Sequence, residues 1–372
     1  MHYIPTLNGW RAIAISFVVF AHSFPSWATD SEKVSLIGTF GVRIFFALSG
    51  FLITTLLLAE ERDAGRIELR SFYVRRFFRI MPAAIAVVAC VAGLSIADVL
   101  KISPRRLVDT LFFFANYSSA PSAYEVAHFW SLAIEEHFYF VWPGLLVLVP
   151  LLERRLLVGI AIAFLIATWR AIAWKYQITT EDPAKFWGRT DIQVDAIVWG
   201  AVVALASVNR RIAPALTKSW VRAFVLLALP ASAFAYVFVE NWKWHLVSYQ
   251  VFVICMPVLI CQTSRGVSFV ASALECGLIR WLGAISYSLY LWQQIFLTHN
   301  QDWTLRVFPL NIVSAFVCAL LSYYFIERPF IRFGRDLLSR AVSKDKQLSP
   351  TKWAKPSLTG DSRPHPQKGG YP

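Results

Sequence analysis

About ten stretches of roughly 20 mostly apolar residues follow one another along the chain. They lie near 7–24, 41–58, 81–99, 130–150, 156–174, 191–207, 222–239, 247–263, 282–298 and 309–326. Coiled as a helix, a stretch of that length matches the hydrocarbon thickness of a bilayer. Lipid offers no partner to an exposed peptide group, so a spanning segment must satisfy its own backbone. The windows therefore predict an all-α, polytopic membrane bundle of about ten transmembrane helices. With 57% hydrophobic and only 16% charged residues, an ordinary soluble domain is excluded.

The net charge of +13 would suggest nucleic acid in a soluble protein. Here the basic residues sit between apolar windows, and the positive-inside rule accounts for them. The connection 60–79 carries Arg62, Arg66, Arg70, Arg75, Arg76 and Arg79, and 151–155 carries Arg154 and Arg155. Arg210, Arg211 and Lys218 fall in 208–221, while 25–40, 240–246 and 299–308 are poor in Lys and Arg. This asymmetry places both termini in the cytoplasm. Lys101, Arg105 and Arg106 fall on the outer side and predict a short amphipathic piece at the interface. The membrane domain is read as 1–335 and the basic tail 336–372 as cytoplasmic and disordered, since no apolar period remains from about Ser343. The N-terminus lacks a basic n-region and cleavage site, so the first window is expected to be retained. Cys90, Cys255, Cys261, Cys276 and Cys318 are scattered without a C-x-x-C pair. They read as small buried hydrophobes, and no metal site is expected.

Several ionisable residues lie inside apolar windows, where each is a functional-site candidate by default. Arg11 and His22 are 11 residues apart, so they share a helix face within about 20° and stand about 16 Å apart along the axis. A neutral imidazole in a low-dielectric cavity can act as general base toward a hydroxyl. Arg11, deeper toward the cytoplasm, could meet an anionic ligand or a carboxylate. In FYVRRFFRIMP (72–82), Arg75 and Arg79 share a face and Arg76 flanks it. Such guanidinium forks suit a phosphate clamp, although positive-inside anchoring also needs basic residues there.

In HFWSLAIEEHFYFVWP (128–143), Ser131, Glu135, Tyr139 and Trp142 line one helical stripe, with Glu136 and His137 turned away. The stripe is expected to face the cavity that holds His22, with Glu135 orienting the imidazole or contacting the acceptor. Asp191 and Asp195, at i and i+4, form a weaker candidate site. Ser131, Tyr139 and Asp195 are candidate substrate-binding residues. The polar residues of ISYSLYLWQQ (285–294) form another weaker candidate, although Ser286, Tyr287 and Tyr290 could equally bond between helices with no catalytic part. Ser49 and Gly50 in GVRIFFALSGFLIT (41–54) read as marks of close helix contact. No Walker loop, G-x-G-x-x-G, G-x-S-x-G or zinc pattern occurs.

In order along the chain, these blocks (the Arg11-to-His22 stretch, GVRIFFALSGFLIT, FYVRRFFRIMP, WSLAIEEHFYFVWP, the Asp195 block, LGAISYSLYLW and IERPF) resemble the acyltransferase-3 family of membrane O-acyltransferases. The resemblance implies transfer of an acyl group, usually acetyl from cytoplasmic acetyl-CoA, to a hydroxyl of a saccharide or related acceptor, which can be lipid-linked. It implies that His22 is the essential histidine, Glu135 the motif glutamate, and Arg11, Arg76 and Arg79 the arginines that serve the acyl-CoA. The chain departs from the family pattern at Asn8, Arg43, Gln193 and Gln293, where Asp, Asp, Arg and His are usual. Many relatives carry an extracytoplasmic SGNH domain, and a stand-alone form without one is expected here. A bacterial inner-membrane enzyme working on its acceptor directly, or through a partner, is therefore expected. A proton-coupled transporter using His22, Glu135 and Asp195 as a relay is the alternative; a sensor that has lost its chemistry is a third reading, which the presence of His22 disfavours.

Overall fold

The computed structural model describes residues 4–23, 31–180, 182–265, 269–298 and 303–348. Among them the regular elements are all helices. In chain order they are α1 (Pro5–Ser23), α2 (Ser31–Ala64), α3 (Leu69–Ile96), α4 (Pro104–Leu111), α5 (Phe129–Leu148), α6 (Leu152–Tyr176), α7 (Pro183–Trp187), α8 (Thr190–Gln193), α9 (Asp195–Val208), α10 (Ala213–Leu216), α11 (Ser219–Phe238), α12 (Trp242–Ser264), α13 (Phe269–Leu274), α14 (Gly277–Phe296), α15 (Leu310–Ser322) and α16 (Arg328–Leu348).

The ten expected windows fall largely on helix, although 191–207 is divided between α8 and α9 and 309–326 runs from α15 into the turn Tyr323–Glu327. Six described segments are long and apolar enough to cross a bilayer: Lys33–Ala64, Leu69–Ile96, Leu152–Tyr176, Ser219–Phe238, Trp242–Ser264 and Leu310–Arg340. The count of ten does not follow from them. The other windows differ for two physical reasons. Helix α9 is apolar but only 14 residues long. Helices α1, α5 and α14 carry the polar residues of the candidate site (Arg11 and His22, Glu135 and Glu136, Gln293 and Gln294), which lower their mean hydropathy.

Helix α9 lies at the centre, buried from Asp195 to Ala206, as an all-round apolar helix must be. It packs along α2, where two glycines allow the backbones to meet. A Cβ on Gly50 would lie 1.8 Å from the Ile197 carbonyl oxygen, and one on Gly200 would lie 2.4 Å from that of Ala47. Gly50 thus marks a close helix contact, as its setting suggested, whereas its neighbour Ser49 belongs to the site described below. Helix α1 lies between α2 and α14, which sets Arg11 and His22 against protein on two sides.

The connections segregate by end. Arg155 at the start of α6 grips Glu61 at the end of α2 (2.5 and 2.8 Å), and Arg265 after α12 donates to the Ser207 carbonyl (2.7 Å). At the opposite end Arg306 meets Glu125 (2.9 Å) and Tyr117 meets Asp191 (3.0 Å). Helix α4 supplies the short piece expected in 100–129: Ser103 caps it by accepting from the Arg106 amide (3.2 Å). Arg106 turns inward to the Ala115 carbonyl (3.1 Å). Between α15 and α16 the chain makes one π turn, Tyr323–Glu327, and α16 continues to Leu348. The expected boundary at 335 therefore falls inside a helix, and 349–372 lie outside the described residues.

Candidate active site

Helices α1, α2, α3, α5 and α14 enclose a cavity of about 90 Å³. From α5 come Ser131, Glu135 and Tyr139, one turn apart, and from α3 come Arg76 and Arg79. Arg11 enters from α1, Ser49 from α2, and Tyr287 and Tyr290 from α14. The Glu135 carboxylate accepts from the Tyr139 hydroxyl (2.6 Å) and from Ser49 (3.1 Å). Tyr139 also lies under the Arg76 guanidinium, 5.2 Å from ring centroid to Cζ. Trp142, last of the stripe, bonds Thr54 on α2 (2.8 Å) and anchors α5.

Three guanidiniums and one carboxylate line the cavity wall, while the buried carboxylates of Glu136 and Glu327 act on Arg76 and on Arg79 and Arg11 from behind it, so the excess of cations is a property of the lining alone. Such a cavity favours an anionic guest, and guanidinium forks favour phosphate or carboxylate oxygens. The spacing argument paired Arg75 with Arg79, but the pair that faces inward is Arg76 with Arg79. Arg75 instead bonds Glu60 (2.8 Å) with 40% of its side chain exposed. Arg11 donates to Asn8 Oδ1 (3.0 Å), a neutral oxygen at a position where a carboxylate would have offset part of the excess. A second, larger and mainly apolar cavity of about 710 Å³ runs between the start of α1 and the end of α2. It shares Arg11 and Leu52 with the first and carries Leu7, Leu56 and Arg62 on its walls.

His22 is not among the residues lining either cavity. It stands further along α1, with Nδ1 2.7 Å from the Val18 carbonyl and Nε2 3.2 Å from the Gln294 amide nitrogen. Ser131, Tyr290, His128 and Gln294 form a bonded chain that reaches it. Ser131 and Tyr290 hydroxyls meet at 2.5 Å and each lies 3.1 Å from the His128 carbonyl. The expectation that Glu135 and His22 border one cavity is not met by these two cavities; the bonded chain Gln294–His128–Tyr290–Ser131 links His22 to the lining of the first.

Asp195 is elsewhere too. It is fully buried in a two-bond ion pair with Arg170 of α6 (2.8 and 3.0 Å) and accepts from Tyr249 (3.1 Å). Its charge is already neutralised, so a packing ion pair replaces the expected substrate contact and removes one member of the transporter relay. Asp191, on the separate short α8, bonds Arg189 and Trp169 instead. Arg43 is 3% exposed and stacks on Tyr236 and Tyr249 at 4.1 and 4.6 Å from their centroids, on the Asp195 side. An Asp195→Ala protein, with Arg170 left buried and unpaired, is expected to lose about 3–5 kcal/mol of stability. A thermal-melt series in detergent checks this, and an unchanged melting temperature would contradict it.

Nothing in the sequence marks His128 as a site residue; Ser49 reads there only as a close helix contact, and Tyr287, Tyr290 and Gln294 stand only within the weaker candidate 285–294. Only the cross-helix bonds between α5 and α14 reveal the part of His128 and Gln294. Glu327 on the π turn was also missed; it is buried and accepts from Ser288 (2.9 Å). Single π turns within helices recur at functional sites.

The profile of the acyltransferase domain family, acyltransferase-3, matches residues 4–328. The chain is 27% identical to "Peptidoglycan O-acetyltransferase OatA" of Listeria monocytogenes, covering 89% of this chain and 56% of that protein. It is 29% identical to "Putative peptidoglycan O-acetyltransferase YrhL" of Bacillus subtilis, covering 91% and 57%. A Staphylococcus aureus protein named "Putative O-acetyltransferase SACOL0978" is 27% identical over 91% of this chain and 59% of its own length. The chain thus spans little more than half the length of these relatives. No solved structure matches it significantly. With its ordered motif blocks, its helical bundle and a profile match across nearly all of its length, the chain belongs to the acyltransferase-3 family.

Proposed function

We propose that the chain is a membrane O-acyltransferase that moves an acyl group, acetyl in the first instance, from cytoplasmic acyl-CoA to a hydroxyl of a saccharide acceptor. The observation that carries this reading is the cavity with three arginines against one carboxylate. CoA is a phosphate-rich anion on a long thin arm. Arg76 and Arg79 at the mouth suit its phosphates, and the apolar cavity that shares Arg11 has room for the arm. The basic connections at this end support a cytoplasmic face here, with both termini on that side of a bacterial inner membrane. The relatives named for peptidoglycan O-acetylation support a saccharide acceptor, lipid-linked or polymeric.

In the transfer, the acceptor oxygen attacks the thioester carbonyl, a C–O bond forms and the C–S bond breaks. His22 takes the hydroxyl proton, and sulfur leaves as thiolate and is protonated to the CoA thiol. The guanidiniums that line the cavity suit stabilisation of charge developing on the carbonyl oxygen. Arg11 and His22 are about 16 Å apart along α1, so direct transfer requires a path to open past the Ser131–Tyr290–His128 chain. The transporter reading is weaker, because Asp195 is locked to Arg170.

Arg76→Ala and Arg79→Ala test the donor end. A phosphate contact made equally in ground and transition states raises KM more than it lowers kcat. Each variant is expected to raise the acetyl-CoA KM about tenfold, roughly the 1.4 kcal/mol of one charge-assisted bond, with kcat within a few-fold. Labelled-acetyl transfer by protein in liposomes reads both constants. A kcat loss at unchanged KM would move these arginines away from CoA.

A further inference from the structure

We infer that Gln294 is a positioning residue that holds His22 as a neutral ring with an unprotonated Nε2, and that His128 fixes the amide that does so. The inference rests on reading His22 as the base.

The amide's orientation follows from its partners. The His128 backbone N–H can only donate, and it faces Gln294 Oε1 at 2.8 Å. His128 Nδ1 lies 2.6 Å from the same oxygen. With its oxygen held by both, the amide must turn its nitrogen toward His22, where it lies 3.2 Å from Nε2. An amide nitrogen donates and does not accept, so His22 Nε2 accepts and carries no proton. The other ring nitrogen agrees. Nδ1 lies 2.7 Å from the Val18 carbonyl, which accepts only, so the ring proton is on Nδ1.

The lock is braced from the cavity side. The His128 carbonyl takes the Ser131 and Tyr290 hydroxyls, both at 3.1 Å. Its ring packs edge-on to Tyr290, 5.3 Å between centroids. Tyr290 and Gln294 are one turn apart on α14, so one helix face holds both ends of the brace. His128 Nε2 is buried with no hydrogen-bond partner among the described residues, consistent with a ring whose proton is spent on Gln294. Amide flips and ring tautomers usually rest on network choices; here a backbone donor at one end and a backbone carbonyl at the other leave one assignment.

The consequence for the base is specific. A ring that accepts from Gln294 cannot become an imidazolium without breaking that bond, because the amide cannot rotate while His128 holds its oxygen. The resting His22 is therefore kept deprotonated and aimed, with its lone pair covered by an N–H. An acceptor hydroxyl reaches Nε2 by displacing that N–H, which is then left beside the reacting oxygen.

The experiment uses full-length protein in nanodiscs with ring-labelled histidine, the His22 signals being identified by their loss in His22→Ala. The wild type should show the neutral Nδ1–H tautomer with a hydrogen-bonded Nε2. Gln294→Glu puts an oxygen that only accepts in place of the donor. It should convert His22 to imidazolium at neutral pH and cut kcat by about tenfold or more, with the acetyl-CoA KM within twofold of wild type. Gln294→Met keeps the length without the donor and should move the Nε2 signal to its unbonded position. It serves if the glutamate variant fails to fold. A wild-type Nε2–H tautomer, or unchanged His22 signals in the folded variants, would overturn the assignment. Normal acyl transfer by His22→Ala would instead sink the base reading and leave the tautomer result standing.

Discussion

His22→Ala protein is expected to accumulate in the membrane at the wild-type level and to transfer acyl groups at least about 100-fold more slowly. The two parts of that statement have separate grounds. The imidazole is only partly buried, and among its bonds are one to a backbone carbonyl in its own helix and one to Gln294. Its removal opens no core cavity of the kind that costs several kcal/mol. Its chemistry, in contrast, has no substitute nearby. His128 is the neighbouring imidazole, but it is sealed in the protein and its Nδ1 is committed to Gln294. A positioned general base contributes about 10²–10⁴ in rate, and the expected loss lies in that range. The measurement pairs size-exclusion behaviour in detergent with labelled-acetyl transfer in liposomes. A monodisperse variant with near wild-type turnover would falsify the assignment of His22 as base.

How much of this was legible beforehand depends on whether the cause is local. The apolar windows fall largely on helix because hydropathy and helix length are properties of contiguous residues. The Glu135 stripe was legible for the same reason. Residues 131, 135 and 139 recur every fourth position, and all three reach one cavity. Spacing alone left the arginine face undecided, because an i, i+4 rule cannot say which side of α3 meets the bundle; the motif resemblance named Arg76 and Arg79. Arg75 and Arg76 differ by about 100°, and packing against α5 and α14 decided for Arg76. Asp195 was misread. Its partner Arg170 is 25 residues upstream on another helix, and no local pattern links the two. Gln193, standing where an arginine is usual, donates to the Trp187 carbonyl, so α6 supplies the cation instead. The His128–Gln294 pair was invisible for a related reason: its key donor is a backbone N–H, which every residue carries.

The same geometry changes what Glu135 is expected to do. Because it lines a cavity that His22 does not line, its effect falls on the arginine end of the site. Among the described residues it is the single carboxylate lining a cavity with Arg11, Arg76 and Arg79. Glu135→Gln keeps the shape and an oxygen able to accept from Tyr139 and Ser49, so the fold should survive. It removes the charge, leaving three guanidiniums on the wall with no carboxylate among them. At an effective dielectric near 20, a charge about 4 Å away is worth roughly 4 kcal/mol, so even a fraction of that biases binding toward anions. Acyl-CoA and the CoA product should therefore bind more tightly than in wild type. The acyl-bound state is stabilised without a matching gain in the transition state, and that lowers turnover. The expected result is a kcat reduced by about 100-fold, or 2.7 kcal/mol, with the acetyl-CoA KM lowered alongside it. Slower CoA release should appear in a single-turnover experiment as a first turnover faster than the steady state. A raised KM with normal kcat would make Glu135 a direct donor contact. If neither constant changes, Glu135 only packs α5 against α2.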